Sequence, residues 1–204
     1  MTKRTYTDVI AYFMVVSALM YSAAILFNAH ANGEHLGLWI WDRHQNQFSW
    51  YSRPLFLVPA CYYAYRQNLW MIIGFTVLIS CSLFWFAAPP NVSDQVSGYL
   101  EWERQLFFSD DSYAPLTLLS VVVVGFLFGL FYAFWTRNLW VGLFLINAGT
   151  ITKIAVSVVL GKEAGTAAIV PSLSSLAIIN VAAYVVWRRS RLESHSSPYE
   201  PWEE

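Results

Sequence analysis

The stretch at residues 138–160, NLWVGLFLINAGTITKIAVSVVL, decides the fold class of this chain. It is long enough to cross a bilayer, because a transmembrane helix needs about 20 predominantly apolar residues. Lys153 is the single charged residue within it. A charge at the centre of a membrane helix costs roughly 3 kcal/mol on insertion scales, and it marks a functional-site hypothesis by default.

One side of this stretch is small and polar when the residues are placed at helical spacing. This side carries Gly142, Ile146, Gly149, Thr150, Lys153 and Ser157. Small residues allow helices to approach closely, so this side is expected to pack against protein rather than lipid. The opposite side, which includes Phe144 and Ile151, is expected to face lipid or apolar neighbours.

The composition is that of an integral membrane protein. Of the 204 residues, 57% are hydrophobic and only 12% are charged, whereas an ordinary soluble domain has about 25% charged residues. The formal net charge is −1, so the chain lacks the basic surface typical of nucleic-acid binding. We predict one membrane domain whose surroundings are the lipid bilayer, with no nucleic-acid partner.

Apolar stretches separated by short turns and two polar loops predict an all-α, polytopic membrane protein, a six-transmembrane-helix bundle. The predicted spans are residues 8–28, 53–65, 69–88, 113–135, 138–160 and 164–187. Pro89 and Pro90 are expected to end span three, because proline supplies no amide donor. Residues 1–187 then form the membrane domain, and residues 188–204 form a charged cytoplasmic tail that is predicted to be disordered.

The loop between spans three and four, residues 91–112, is predicted to contain an amphipathic interfacial helix. Its apolar face is formed by Val96, Tyr99, Leu100, Leu106 and Phe107. Glu101, Arg104 and Gln105 point away from this face, but Glu103 lies near its middle. The helix is therefore expected to lie on the outer membrane surface or to cap the bundle, with Glu103 directed inward.

Basic residues are distributed unevenly between the two ends of the predicted bundle. The end with both termini has Lys3, Arg4, Arg66, Arg137, Arg188, Arg189 and Arg191, and the other end has Arg43, Arg104 and Lys162, with Arg53 at its border. Because basic residues are enriched in cytoplasmic loops, both termini are predicted to be cytoplasmic in the plasma (inner) membrane. The two long loops and the region near Lys153 are then extracytoplasmic.

Two short turns resemble each other in sequence. Residues 63–70 read YAYRQNLW and residues 132–140 read YAFWTRNLW. One explanation is a parallel repeat of two helical hairpins, as some transporters have. The other, which we favour, is independent origin, because aromatic belts and cytoplasmic arginines give similar turns and the likeness fades beyond them.

The inward position of Glu103 predicts a contact with a cation. An unpaired buried charge is unfavourable, and Lys153 and Arg53 are the cations at a matching depth on that side. We predict that Glu103 approaches one of them. The pair then either holds the interfacial helix on the bundle or lines an outward-facing cavity that titrates or binds an ion.

A polar site is predicted around Lys153, between spans five and six. Pro171 lies at a similar depth, and it leaves the carbonyl of Ala167 without its usual amide partner. The predicted ligand or ion-pair site comprises Lys153, Glu103, Arg53, Thr150, Ser157, Pro171 and Ser174. The alternative is that the Lys153 side chain reaches the nearby membrane surface, because a lysine stem can cover part of that distance.

The first loop contains His30, Glu34 and His35, whose side chains suit zinc or another divalent metal. Their spacing matches no recognised metal motif, and solvated loop residues are the alternative. No cofactor and no catalytic residue is predicted.

Three functions follow from these features. The first is a binding or transport protein for a small anionic solute, with an outward-facing site around Lys153. The second is an accessory or assembly subunit of a larger membrane complex, which has a protein partner or forms a homo-oligomer. The third is a membrane enzyme with a metal site in the first loop. The sequence favours the first, and it favours a role other than that of an enzyme.

Overall fold

The computed structural model describes residues 3–107 and 114–195, and within them the chain is all-helical, with no β-strand. The elements are α1 (Lys3–Ala31), α2 (Leu36–His44), α3 (Phe48–Tyr65), α4 (Leu69–Cys81), α5 (Asp94–Phe107), α6 (Ala114–Trp135), α7 (Leu139–Gly165), a short 3-10 helix (Thr166–Ala168) and α8 (Ile169–His195). The all-α class is therefore confirmed.

Three segments of the described chain are long and apolar enough to cross a membrane. They are Tyr6–Ala31, Thr117–Trp135 and Leu139–Val185, and Leu69–Cys81 is a shorter apolar helix. The third segment contains a chain reversal at Lys162, whose φ is 49° and ψ is −130°. A Cβ atom on Gly165 would collide with the backbone carbonyl of Ser157, so glycine is required where the chain folds back. These segments are compatible with a membrane location.

The α3–α4 and α6–α7 turns have the same backbone geometry. Gln67 and Arg137 are both left-handed, with φ of 56° and 61°. The following residues, Asn68 and Asn138, each accept a hydrogen bond on the side-chain oxygen from an amide 3.2 Å away. The likeness predicted from sequence thus extends to the backbone. The helices beyond the turns differ in length, at 18 and 13 residues against 22 and 27.

These turns define one end of the molecule, here called the turn end. Gln67 donates from Nε2 to the carbonyl of Trp135 at 3.1 Å, so the two turns lie side by side. Asp8 near the start of α1 pairs with Arg66 at 3.4 Å, so α1 also begins at the turn end.

The opposite end, here called the cap end, carries α2, α5 and the reversal at Lys162. The helix predicted in the second loop is present as α5, with Val96, Tyr99 and Leu100 buried. This face packs against Trp50 of α3 and Ala168 of the 3-10 helix. The helix therefore caps the bundle. Residues 108–113, which include the start of predicted span four, lie outside the described residues.

Span three ends earlier than predicted. Helix α4 ends at Cys81 rather than at residue 88, so Pro89 and Pro90 do not set its end. The carbonyls of Phe84 and Ala87 accept hydrogen bonds from Arg43 Nε at 2.7 Å and Asn46 Nδ2 at 2.9 Å. Because side chains from the first loop supply these donors, the carbonyl groups that follow the end of the helix still have hydrogen-bond partners.

The first loop is more helical than predicted. It forms α2, which His35 caps by accepting from the amide of Leu38. Helix α3 then begins at Phe48 rather than at residue 53. Arg53 therefore lies inside a helix, more than one turn after its start, rather than at a helix border.

Pro171 does not interrupt a long helix, as predicted span six (residues 164–187) would require. A 3-10 helix ends at Ala168 and α8 begins at Ile169, so Pro171 falls in the first turn of α8. Amides there have no partner within the helix, so proline is tolerated. Helix α8 continues to His195, so residues 188–195 are helical rather than disordered. Residues 196–204 lie outside the described residues.

Candidate functional site

A cavity of about 170 Å³ lies at the cap end, beneath α5. Five helices and the 3-10 helix contribute side chains to it. It is lined by His44 of α2, Trp50 and Arg53 of α3, Tyr99 and Glu103 of α5, Thr150 and Lys153 of α7, Ala168 of the 3-10 helix, and Pro171, Ser172 and Ser175 of α8. The site is thus built from segments far apart in the sequence.

Three charged side chains face this cavity without touching one another. Among the described residues, neither Arg53 nor Lys153 forms an ion pair with Glu103, because their nitrogens lie more than 4.0 Å from its carboxylate oxygens. The predicted approach therefore takes the form of a shared cavity rather than a direct contact. The space between the charges can hold water or a small ligand.

Lys153 lines the cavity from α7. Its side chain is exposed, whereas Ile146 and Ser157 on the same side of α7 are buried. The lysine stem can therefore move its ammonium group between the cavity and the outside. This geometry accommodates both a ligand-binding lysine and a lysine that reaches the membrane surface.

His44 supports Arg53 from α2. Arg53 Nη2 lies 3.4 Å from His44 Nδ1. Because arginine is a donor without an acceptor atom, Nδ1 must accept this bond, and the neutral ring carries its hydrogen on Nε2. Burial, and then the positive charges of Arg53 and Lys153, lower the pKa of His44 from 6.5 to about 4. His44 is therefore uncharged at neutral pH.

Trp50 joins the first loop to the cap. Its indole Nε1 donates to the carbonyl of His44 at 3.2 Å, which fixes the end of α2. Its ring packs on Tyr99 of α5, with centroids 5.7 Å apart and planes inclined by 64°. This edge-to-face packing is a preferred aromatic geometry, and it gives the cavity a rigid apolar wall.

Tyr99 fastens α5 over the cavity. Its hydroxyl lies 3.2 Å from the hydroxyl of Ser157 on α7, and both side chains are buried. Burial, and then the negative charge of Glu103, raise the pKa of Tyr99. Tyr99 is therefore a neutral hydrogen-bonding group at physiological pH.

Five of the seven residues predicted for this site line the cavity: Lys153, Glu103, Arg53, Thr150 and Pro171. The other two do not. Ser157 lies behind the lining and bonds Tyr99, while Ser174 donates to the carbonyl of Val170 in its own helix. Ser172 and Ser175 occupy the place predicted for Ser174.

Six residues of the lining were not part of the predicted site: His44, Trp50, Tyr99, Ala168, Ser172 and Ser175. The two serines had a signal, because positions 168, 171, 172 and 175 share one face at helical spacing. Tyr99 was placed on the inward face of its helix, but without a role in the site. His44 and Trp50 have no comparable pattern, because both positions fall in the predicted first loop.

The predicted metal residues do not form a cluster in this structure. Within residues 3–107 and 114–195, no three side chains of His, Cys, Asp or Glu come together in a way that could hold a metal ion. His35 Nδ1 is used as the cap of α2, 3.4 Å from the amide of Leu38. The metal site at His30, Glu34 and His35 stays a prediction.

A second cavity, of about 400 Å³, lies between the start of α3 and the segment before α5. The lining described for it includes Gln45, Asn46, Gln47 and Tyr51 and contains no charged side chain. Of the two cavities, only the smaller one has charged side chains in its described lining.

The chain was compared with protein-family models, with curated protein sequences and with solved structures, and none of them matched.

Proposed function

We propose that this protein spans the membrane six times and that it binds and transports a small anionic solute through the cavity beside Lys153. The observation that carries this proposal is the charge of the cavity lining. The lining contains two basic side chains, Arg53 and Lys153, one acidic side chain, Glu103, and the neutral ring of His44, so its formal net charge is +1. A bound anion would neutralise that charge in a site partly shielded from water.

The hydrogen-bonding groups also suit an anion. Arginine presents a planar fork of donors that matches a carboxylate or phosphate, and lysine adds a mobile point charge. The hydroxyls of Thr150 and Ser172 lie in the same lining and can each donate one more hydrogen bond. Charge-assisted hydrogen bonds of this kind are about twice as strong as neutral ones.

The proposed arrangement has both termini in the cytoplasm and the cavity on the extracytoplasmic side of the inner membrane. Helices α1, α3, α4, α6, α7 and α8 would be the six spans. The contact of Asp8, near the start of α1, with Arg66, at the end of α3, supports two crossings between them, one by α1 and one by α3. The excess of Lys and Arg at that end supports its cytoplasmic location.

The deciding experiment compares two lysine variants in the purified protein. Lys153→Met removes a cation of the lining, while Lys162→Met makes the same change at the cap end, outside the lining. We expect Lys153→Met to weaken anion binding at least about tenfold, because a hydrogen bond to a charged group contributes about 1.5–3 kcal/mol. Lys162→Met should bind like the wild type.

Binding is measured by calorimetry with chloride, phosphate, lactate and succinate, and transport by uptake of the bound anion into proteoliposomes. Equal behaviour of the two variants, or no binding of any anion by the wild type, would refute the proposal. A stoichiometric protein partner extracted with the chain from its own membrane would favour the accessory-subunit function instead. Binding without uptake would reduce the function to that of a receptor.

A further inference from the structure

We infer that the ligand of this cavity is a small organic monocarboxylate, and that Glu103 is the residue that excludes dianions. This inference rests on the proposed function, because it assigns the chemical class of the anion that the cavity beside Lys153 takes. Three observations carry it: the charge count of the lining, the size of the cavity and the chemistry of its walls.

The charge count limits the ligand to one negative charge. Counted formally, the two basic side chains and the single acidic side chain give the lining one unit of positive charge. A monoanion neutralises the lining, whereas a dianion leaves a negative excess next to Glu103. Like charges repel strongly where water is partly excluded, so phosphate and dicarboxylates are disfavoured.

The cavity is larger than an inorganic ion requires. Its volume of about 170 Å³ is similar to that of an engineered protein cavity of about 150 Å³ that binds benzene. A chloride or nitrate ion would leave most of this space empty. An organic anion with a body up to about the size of a benzene ring would fill it.

The walls contain both apolar and polar side chains. Trp50, Tyr99, Ala168 and Pro171 are buried and supply the apolar surface. Opposite to these in character are Arg53 and Lys153, with the hydroxyls of Thr150 and Ser172. Within the described residues neither hydroxyl has a hydrogen-bond partner. Such a lining matches a ligand with a carboxylate at one end and a compact body, bare or with a hydroxyl group, at the other.

Arg53 is positioned to receive a carboxylate. One arm of its guanidinium group is held by His44 Nδ1 at 3.4 Å, which orients the plane of the fork. Its remaining donors bond no other side chain or carbonyl of residues 3–107 and 114–195. They can receive a planar two-oxygen acceptor, the geometry that arginine recognises best. Lys153 lines the same cavity and can add a further charge-assisted hydrogen bond to the carboxylate.

The test is a panel of anions measured by calorimetry on the intact chain in detergent. The probes, at about pH 8 where phosphate is mainly a dianion, are lactate and benzoate as monocarboxylates, succinate and phosphate as dianions, and lactamide as the uncharged analogue of lactate. We expect lactate or benzoate to bind at least tenfold more tightly than succinate and phosphate, a difference of about 1.4 kcal/mol. Lactamide should not bind.

The Glu103→Gln variant tests the role of the carboxylate. It keeps the size of the side chain and removes its charge, so the lining gains one unit of positive charge. We expect this variant to bind succinate or phosphate at least tenfold more tightly than the wild type does. Glu103→Asp keeps the charge and should retain the wild-type preference.

The outcomes separate this inference from the proposed function. If succinate or phosphate binds the wild type as tightly as lactate does, the inference is wrong and the anion-binding function stands. A folded Glu103→Gln variant that still rejects dianions would show that Glu103 does not exclude them. If no anion in the panel binds, both are wrong. The wild-type measurements decide the ligand class even if Glu103→Gln fails to fold.

Discussion

The hydroxyl of Tyr99 on α5 lies 3.2 Å from the hydroxyl of Ser157 on α7, and this bond holds the cap helix on the bundle. Glu103 follows Tyr99 by one helical turn, so the same bond sets where the Glu103 carboxylate meets the cavity. Tyr99 also packs against Trp50. The position of one hydroxyl thus links cap stability to the geometry of the site.

Tyr99→Phe should destabilise the protein by about 1–3 kcal/mol, because it leaves the buried Ser157 hydroxyl without its partner. The measurement is the free energy of unfolding in mixed detergent micelles. In the double variant Tyr99→Phe/Ser157→Ala both polar groups are gone, so the loss should be smaller than the sum of the two single losses. Strictly additive losses would mean that the two hydroxyls do not interact.

The stability of the protein should fall with acidification in a way that depends on His44. Its pKa is about 4 in the folded chain and about 6.5 in the unfolded chain. Between these values the unfolded state binds the extra proton, so the free energy of unfolding decreases as the pH falls from about 6.5 to about 4. The full effect is about 3 kcal/mol, at 1.36 kcal/mol per pKa unit.

This pH effect is isolated by comparing the wild type with His44→Gln, whose amide oxygen can still accept from Arg53. The free energy of unfolding is measured at pH 7 and pH 5 for both. The wild type should lose more stability between these values than the variant does. An identical loss in both proteins would show that His44 is not held neutral by the fold.

The amides of Asn147 and Asn180 pair reciprocally between α7 and α8, with N–O distances of 3.2 Å and 3.1 Å. Asn147→Leu should destabilise the hairpin by about 0.6–2 kcal/mol, in the range measured for hydrogen bonds between membrane helices. Replacing both residues by Leu should cost less than the two single changes together, because neither amide is then left unpaired. The measurement is the free energy of unfolding of all three variants. If the losses of the two single variants add up to that of the double variant, the two amides act independently.

Gly142→Ala should destabilise the contact between α6 and α7. A Cβ atom at this position would lie 2.6 Å from the ring of Phe134, which is itself buried. Overpacking of this kind typically costs about 1–3 kcal/mol.

Gly129→Ala on α6 is the matched control, since nothing lies within 4 Å of its Cβ position. The control should be neutral or up to about 1 kcal/mol more stable, because alanine favours helix over glycine. Equal effects of the two substitutions on thermal unfolding would contradict the packing shown here.

Much of the local structure could be predicted because it depends on local pattern. The apolar stretches predicted helices, the turn residues Gln67 and Asn68 marked one end of the bundle, and the apolar spacing of α5 predicted its buried face. The end of α4 at Cys81 could not be predicted. It depends on donors from Arg43 and Asn46, which reach the segment only in the folded chain.

The candidate site divides in the same way. Lys153, Glu103 and Arg53 were identified from sequence because a charge in an apolar setting stands out by its energetic cost. Ser174 was chosen in place of Ser172 and Ser175, because the exact start of α8 after the 3-10 helix fixes which serines face α7. His44 and Trp50 belong to the predicted first loop, and no sequence pattern around them indicates that they line the cavity.

By itself, the sequence determined the helical class, the apolar segments and the few charges that need partners, because each depends on the composition and periodicity of a short window. Only the tertiary structure decided that these charges share a cavity without pairing, that His44 orients Arg53, and that Tyr99 ties α5 to α7. These features depend on distances between residues far apart in the chain, and such distances are set by how the helices pack.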